Sequence, residues 1–283
     1  MFERVIVGVD GDPSGRDAIA VAGVLMATDG RLALAHVHEL SPVRGASRAY
    51  GPGEEQESLR LVENERAAAG VDAEPLTVTA SSVGRGLHYL AETHEADLLT
   101  VGSSRRSFVG RVLIGDRNRA ALIGAPCAVA VAPLAYADDG GAIATIGVGY
   151  DGSPESESAL ACARALAARH GAAVTALTVL EPSPYETLVR VGVPRTASEE
   201  ERAEATAALA ALDGVEGEVA SGVAGEELAL FSDRVDLLVI GSRGYGPIRS
   251  LMLGGTAVHL AANARCPLVV LPRDGAGPAA GGA

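Results

Sequence analysis

The feature that most constrains this chain is that it states one pattern twice. Val7-Gly8-Val9-Asp10-Gly11 returns as Val148-Gly149-Tyr150-Asp151-Gly152. Asp97-Leu98-Leu99-Thr100-Val101-Gly102-Ser103 returns as Asp236-Leu237-Leu238-Val239-Ile240-Gly241-Ser242, and Ala125-Pro126-Cys127-Ala128-Val129 returns as Ala264-Arg265-Cys266-Pro267-Leu268. A period of about 140 residues that barely drifts over its whole length means duplication. The 283 residues are long for one core and sufficient for two, so the expected units are residues 1–137 and 138–273, with Ala135 to Gly141 as the linker. The tail 274–283, rich in Gly, Ala and Pro, is expected to be disordered.

Within each copy, short continuous apolar runs alternate with helical patterns, the signature of β-α-β units whose strands are covered on both faces. Strands are predicted at 3–9, 32–37, 74–79, 97–101 and 127–132, and again at 144–150, 173–179, 215–220, 236–240 and 267–271. Helices are predicted at 13–28, 54–70, 84–95 and 115–124, then at 154–170, 196–212, 224–233 and 254–263. The fold class is α/β: two tandem doubly wound, Rossmann-like domains, each a five-stranded parallel sheet with helices on both faces. Asp12-Pro13 and Ser153-Pro154 each offer an N-cap followed by Pro at the first helical position, and Gly30 and Gly171 are expected to close those helices. Residues 41–53 and 182–195 read as long loops.

Composition removes several functions. A formal charge of −13 repels a phosphate backbone, so no nucleic-acid partner is expected. All 23 basic residues are Arg; without Lys there is no Walker A loop, Schiff base or lysine base. Cys127, Cys162 and Cys266 show neither C-x-x-C spacing nor an even count, which points to a reducing compartment. The N-terminus lacks a basic n-region, and the longest apolar stretch, Ala18 to Ala27, is too short for a bilayer; the expected location is cytoplasmic, away from membranes.

The strongest constellation is Gly241-Ser242-Arg243-Gly244, nine residues, then Gly254-Gly255-Thr256 opening a helix. Glycines let backbone N–H groups approach a phosphate, and a helix N-terminus adds partial positive charge. Asp151 ends the first strand of the same copy, at the edge where doubly wound sheets bind ligands, and Arg243 and Arg249 add charge. The competing reading is that these glycines are turns and helix caps.

These residues resemble the universal stress protein family, whose ATP-binding members carry G-x-x-G, nine residues, then Gly followed by Ser or Thr. The resemblance spans residues 2–134 and 143–273. It implies an adenine-nucleotide-hydrolase-like fold and a stress-response protein that binds ATP, with Mg²⁺ to offset the charge. Carried over, Asp151 meets the ribose, Val179 meets adenine, and Gly241, Gly244 and Gly254 hold phosphates with Ser242, Arg243, Gly255 and Thr256 beside them. Gly255 stands where the family has a hydroxyl. In the first copy Asp10, Val37, Gly102, Ser103 and Gly115 match, but Arg105 replaces the second glycine and Asp116 stands where the family has a hydroxyl. The second copy is therefore expected to be the better site: Gly244→Asp should abolish binding and Gly102→Asp should change little. The closing strands 127–132 and 267–271 are expected to pair the two copies as family dimers pair, with a homodimer of the chain as a further option.

Other motifs are weaker. Gly147-Val148-Gly149-Tyr150-Asp151-Gly152 fits G-x-G-x-x-G but lies inside a predicted strand, and Ile6 replaces its first glycine in the other copy. There is no G-x-S-x-G elbow. His36 and His38 alternate on a strand without a patterned third ligand, so they read as buried or rim residues and no metal site is assigned. Glu199-Glu200-Glu201 reads as a helix start favoured by the dipole. No catalytic residue is assigned; the alternatives to ATP binding are a slow ATPase and an α/β scaffold that acts by dimerisation or partner contacts.

Overall fold

The computed structural model describes residues 1–40, 52–103, 121–139, 141–181, 197–242 and 254–272. The first half runs β1 (Phe2–Gly8), α1 (Pro13–Leu25), β2 (Met26–Glu39), α2 (Pro52–Ala69), β3 (Glu74–Ala80), α3 (Val83–Thr93), β4 (Leu98–Gly102) and β5 (Ala128–Ala132). A short α4 (Tyr136–Asp139) leads to the second half. There follow β6 (Thr145–Gly149), α5 (Pro154–His170), β7 (Ala173–Leu180), α6 (Glu199–Ala210), β8 (Glu216–Ser221), α7 (Ala224–Phe231), β9 (Leu237–Gly241), α8 (Gly255–Asn263) and β10 (Leu268–Leu271).

All ten predicted strands are present, and they join one sheet in the order β3-β2-β1-β4-β5-β10-β9-β6-β7-β8. Pairing is parallel within each half and antiparallel where β5 meets β10, with Val129 opposite Val270, Ala130 opposite Val269 and Val131 opposite Leu268. The two closing strands therefore cover each other's edges, as expected, and neither is left as a bare hydrophobic template. Apolar runs form these strands because both sheet faces are covered. Along β5, Ala128, Ala130 and Ala132 belong to one core cluster while Val129 and Val131 belong to the other. Each cluster takes residues from both halves, so the core is continuous across the junction. At the opposite end of the sheet, the repeated aspartates fasten strand starts. Asp97 accepts from the N–H groups of Glu3 and Arg4, and Asp236 accepts from those of Ala144 and Thr145.

Four local expectations need correction. Helix α1 ends at Leu25, three residues early, and Gly30 does not close it. Met26 is already extended (φ −73°, ψ 147°) and pairs with Phe2 at the start of β2. The reason is tertiary: Arg169 donates to the Met26 carbonyl at 2.7 Å and His170 to that of Val24 at 2.9 Å, satisfying helix-end acceptors from the other half of the chain. Gly171, by contrast, closes α5 in the left-handed conformation (φ 66°). Asp12 makes no side-chain cap bond, whereas Ser153 accepts from the Ser156 N–H. The stretch 135–141 is not a bare linker, because buried Asp17 accepts from the N–H groups of Ala135 and Ala137, both at 3.0 Å, and fixes the start of α4. The expected helix at 115–124, the loops 41–53 and 182–195 and the tail 274–283 lie wholly or largely outside the described residues.

Candidate functional site

In each half the chain leaves the central strand in one direction (β1 to β2 to β3; β6 to β7 to β8) and then returns to its other side. Strand order thus reverses between β1 and β4 and between β6 and β9. A crevice opens beyond the carboxyl ends at such a point, because the two crossovers diverge there. In the second half the described residues leave a pocket of about 100 Å³ in this crevice.

Six segments build it. Gly149, Tyr150 and Asp151 end β6; Ser153, Glu155 and Ser156 open α5; Leu177 and Val179 come from β7. Ala224 and Leu228 come from α7, Ile240, Gly241 and Ser242 from the end of β9, and Gly254, Thr256 and Ala257 from the start of α8. Of the residues singled out in the sequence, Asp151, Val179, Gly241, Ser242, Gly254 and Thr256 meet here, with Gly255 opening α8 between two lining residues. Arg243, Gly244 and Arg249 lie outside the described residues, as do Arg105, Gly115 and Asp116 of the first half.

The glycines divide into two kinds. Among the described residues, a Cβ on Gly254 or Gly255 would meet nothing within 4 Å. Gly254 is the N-cap and supplies no side-chain bond, so the first-turn N–H groups of α8 face the crevice without a capping side chain. Gly241 is different. A Cβ there would overlap the Glu155 carbonyl, as one on Gly102 would overlap the Ser14 carbonyl. Both are required for the close approach of the following strand end to the first turn of α5 or α1, whatever else they do. Any side chain at Gly102 strikes backbone, so Gly102→Asp would disturb the first half's fold and is not a neutral control for binding.

The first-strand aspartates are held at two points. Asp151 Oδ1 accepts from both the N–H and the hydroxyl of Ser153, while Thr178 Oγ1 donates to the carbonyl of the preceding Tyr150 at 2.8 Å. In the first half the N–H of Asp12 reaches Asp10 Oδ1 at 3.2 Å, and His36 Nδ1 donates to the Val9 carbonyl at 2.9 Å. His36 is thus a rim residue tied to main chain, as read; among the described residues no group of three or more His, Cys, Asp or Glu side chains is arranged to hold a metal ion. Tyr150 donates to Glu157, and that bond, with burial next, pushes its hydroxyl up to about 12.

Ser242 and Ser103 show the sharpest difference. Their backbones are equivalent, each N–H donating to the closing strand at Leu271 or Ala132. Ser103 Oγ also donates to the Ala132 carbonyl at 2.7 Å, whereas Ser242 Oγ is buried, with the residue 2% exposed, and has no hydrogen-bond partner among the described residues. Elsewhere in the first half, α2 crowds the approach to Asp10. A Cβ on Gly11 would lie 3.5 Å from Leu61, and the Glu65 carboxyl is pushed up by burial and further by Asp10 and Asp12, against the pull of Arg16. Val37 packs beneath Gly86 of α3.

Ser153, Glu155 and Tyr150 were not singled out as site residues. Their proximity to Asp151 in sequence was the available signal, but the role of Ser153 as an N-cap concealed it.

A sequence profile of the universal stress protein family matches residues 1–133 and 143–272. A universal stress protein of Thermus aquaticus is 34% identical over 139 residues, covering 45% of this chain and 97% of that protein. One from Mycobacterium tuberculosis is 28% identical and covers 94% of this chain and 96% of its own length, so it shares the tandem arrangement. The crystal structure of a universal stress protein from Archaeoglobus fulgidus superposes with a TM-score of 0.66 at 16% identity, covering 95% of this chain and 98% of that one. No helix among the described residues is long and apolar enough to cross a membrane. With both halves matched almost end to end, the chain belongs to the universal stress protein family.

Proposed function

We propose that the second half binds an adenine nucleotide, ATP in the first instance, in the crevice between β6 and β9, and that the protein works as a nucleotide-responsive module in a stress response. The observation that carries this reading is the buried Ser242 hydroxyl, without a partner among the described residues, in the same pocket as the start of α8, whose N-cap Gly254 has no side chain to cap it. A buried hydroxyl left unpaired costs on the order of 1–3 kcal/mol, and a phosphate oxygen at the helix N-terminus is the acceptor that would satisfy both groups. Asp151 takes the ribose hydroxyls, Val179 and Leu177 the apolar base, and the amides of residues 254–256 the phosphates. Asp151 and Glu155 both line the pocket. Mg²⁺ bound with the triphosphate would offset charge that Arg243 and Arg249 alone do not in a chain of net charge −13. Arg243, Gly244 and Gly102, Ser103, Gly115, Asp10 and Val37 stay within this proposal as the rest of the two family-patterned sites, the first half being the weaker.

Mass spectrometry of small molecules released from natively purified protein tests the reading. The expected result is an adenine nucleotide in wild type that is depleted in Ser242→Ala. Purified protein free of nucleotide, and giving no heat when titrated with Mg-ATP, would leave the scaffold reading, for which the packing demand on Gly102 and Gly241 already provides a purely structural account.

A further inference from the structure

We infer that Ser153 is the residue that positions Asp151 for a ribose, and that its replacement by Asp12 in the first half is a reason the two sites differ. The inference rests on the nucleotide reading and adds a residue that it does not include.

Ser153 lines the pocket, and its N–H and hydroxyl make three bonds between them. Its N–H, at 3.1 Å, and its hydroxyl both donate to Asp151 Oδ1, and its Oγ accepts from the Ser156 N–H at 3.2 Å. Two donors on one carboxylate oxygen fix the rotation of the carboxyl group, and charge-assisted bonds of this kind are the strong ones. The same Oγ is the N-cap of α5, so the orientation of Asp151 is referred to a helix of 17 residues rather than to a loop. Thr178 holds the carbonyl just before Asp151, which leaves little freedom in the segment.

At the equivalent place the first half has Asp12. Its N–H still reaches Asp10 Oδ1, but a carboxylate has no proton to donate, and it makes no cap bond. At this position the first half thus lacks the hydroxyl donor and sets a second carboxylate two residues from Asp10.

The difference can be transplanted cleanly. Asp is a favoured N-cap type, Pro154 at the first helical position is untouched, and α1 forms behind Asp12-Pro13 even without a side-chain cap bond, so Ser153→Asp should leave α5 folded while removing the hydroxyl donor. Calorimetry with ATP and with 2′-deoxy-ATP, in Mg²⁺, on the full chain gives the readout. Wild type should prefer the ribonucleotide. In Ser153→Asp the affinity for ATP should fall about tenfold or more and the preference for ribose should shrink towards none, because the loss is local to the sugar contact. Ser153→Thr, which keeps the hydroxyl, should stay within about twofold of wild type. Thermal melting of each variant checks that α5 is intact. If wild type binds ATP but Ser153→Asp retains both affinity and ribose preference, Ser153 has no positioning role and the nucleotide reading stands. If wild type binds neither nucleotide, both fall. A Ser153→Thr that behaves like Ser153→Asp would overturn the assignment to the hydroxyl.

Discussion

The two halves of this chain share a fold, a strand order and a junction, yet their strand ends offer different chemistry. In the second half Asp151 is held by a serine that can donate, and, among the described residues, Ser242 keeps a buried hydroxyl without a partner and the two glycines that open α8 have no neighbour against a Cβ. In the first half Asp10 faces Asp12 and the raised carboxyl of Glu65, Ser103 has given its hydroxyl to Ala132, and α2 packs close to the Asp10 turn. Duplication preserved what packing requires and released what it does not. Gly102 and Gly241 stand in both halves with backbone against each of them, whereas Asp12 and Ser153, and Asp116 and Gly255, differ.

The largest effect expected from breaking this contrast is on affinity. Asp116 of the first half corresponds in sequence to Gly255, and Gly255→Asp would bring a carboxylate to the mouth of α8. At about 4 Å from a phosphate oxygen and an effective dielectric near 20, the repulsion is on the order of 4 kcal/mol, about a thousandfold in dissociation constant. The fold should not suffer, since no described residue lies within 4 Å of a Cβ there and an acid in the first turn suits the helix dipole. Calorimetry and a melting curve on the same sample separate the two quantities.

Next comes stability. Gly102→Ala and Gly241→Ala should each lower the free energy of unfolding by about 3 kcal/mol, because the added methyl overlaps the carbonyl of Ser14 or Glu155 and the helix start must shift. Urea titrations measure this. Equal losses in the two halves mean that these glycines are architectural in both; a neutral Gly102→Ala would break the claim that packing retains them.

Much of the fold was legible in the sequence, because its causes are local or repeated. Apolar runs such as Ala128 to Ala132 mark strands covered on both sides, and the duplicated closing strands foretold the β5–β10 pair. What could not be read depends on residues far apart. The end of α1 is set by Arg169 and His170, more than a hundred positions away, and they override the local stop offered by Gly30. The helix in the linker depends on Asp17. In the site, composition announced the glycines but not which of them face backbone and which face open space. The division between Gly241 and Gly254 exists only once α5 and α8 are in place.

A smaller effect separates the two serines. Ser103→Ala should cost about 1 kcal/mol by removing the bond to the Ala132 carbonyl, while Ser242→Ala should leave the unliganded protein unchanged or slightly more stable, because it deletes an unpaired buried hydroxyl. Denaturant midpoints for the two variants, without nucleotide, give the comparison. A Ser242→Ala that loses as much as Ser103→Ala would mean the hydroxyl is already satisfied within the protein, and the main support for a ligand there would disappear.

The most direct measurement is the stoichiometry of Mg-ATP binding to the full wild-type chain by calorimetry, repeated on Gly255→Asp. The account predicts one tight site per chain in wild type and loss of that site in the variant, with both proteins folded. Two equivalent sites, or a tight site that survives Gly255→Asp, would contradict the assignment of nucleotide binding to the crevice between β6 and β9.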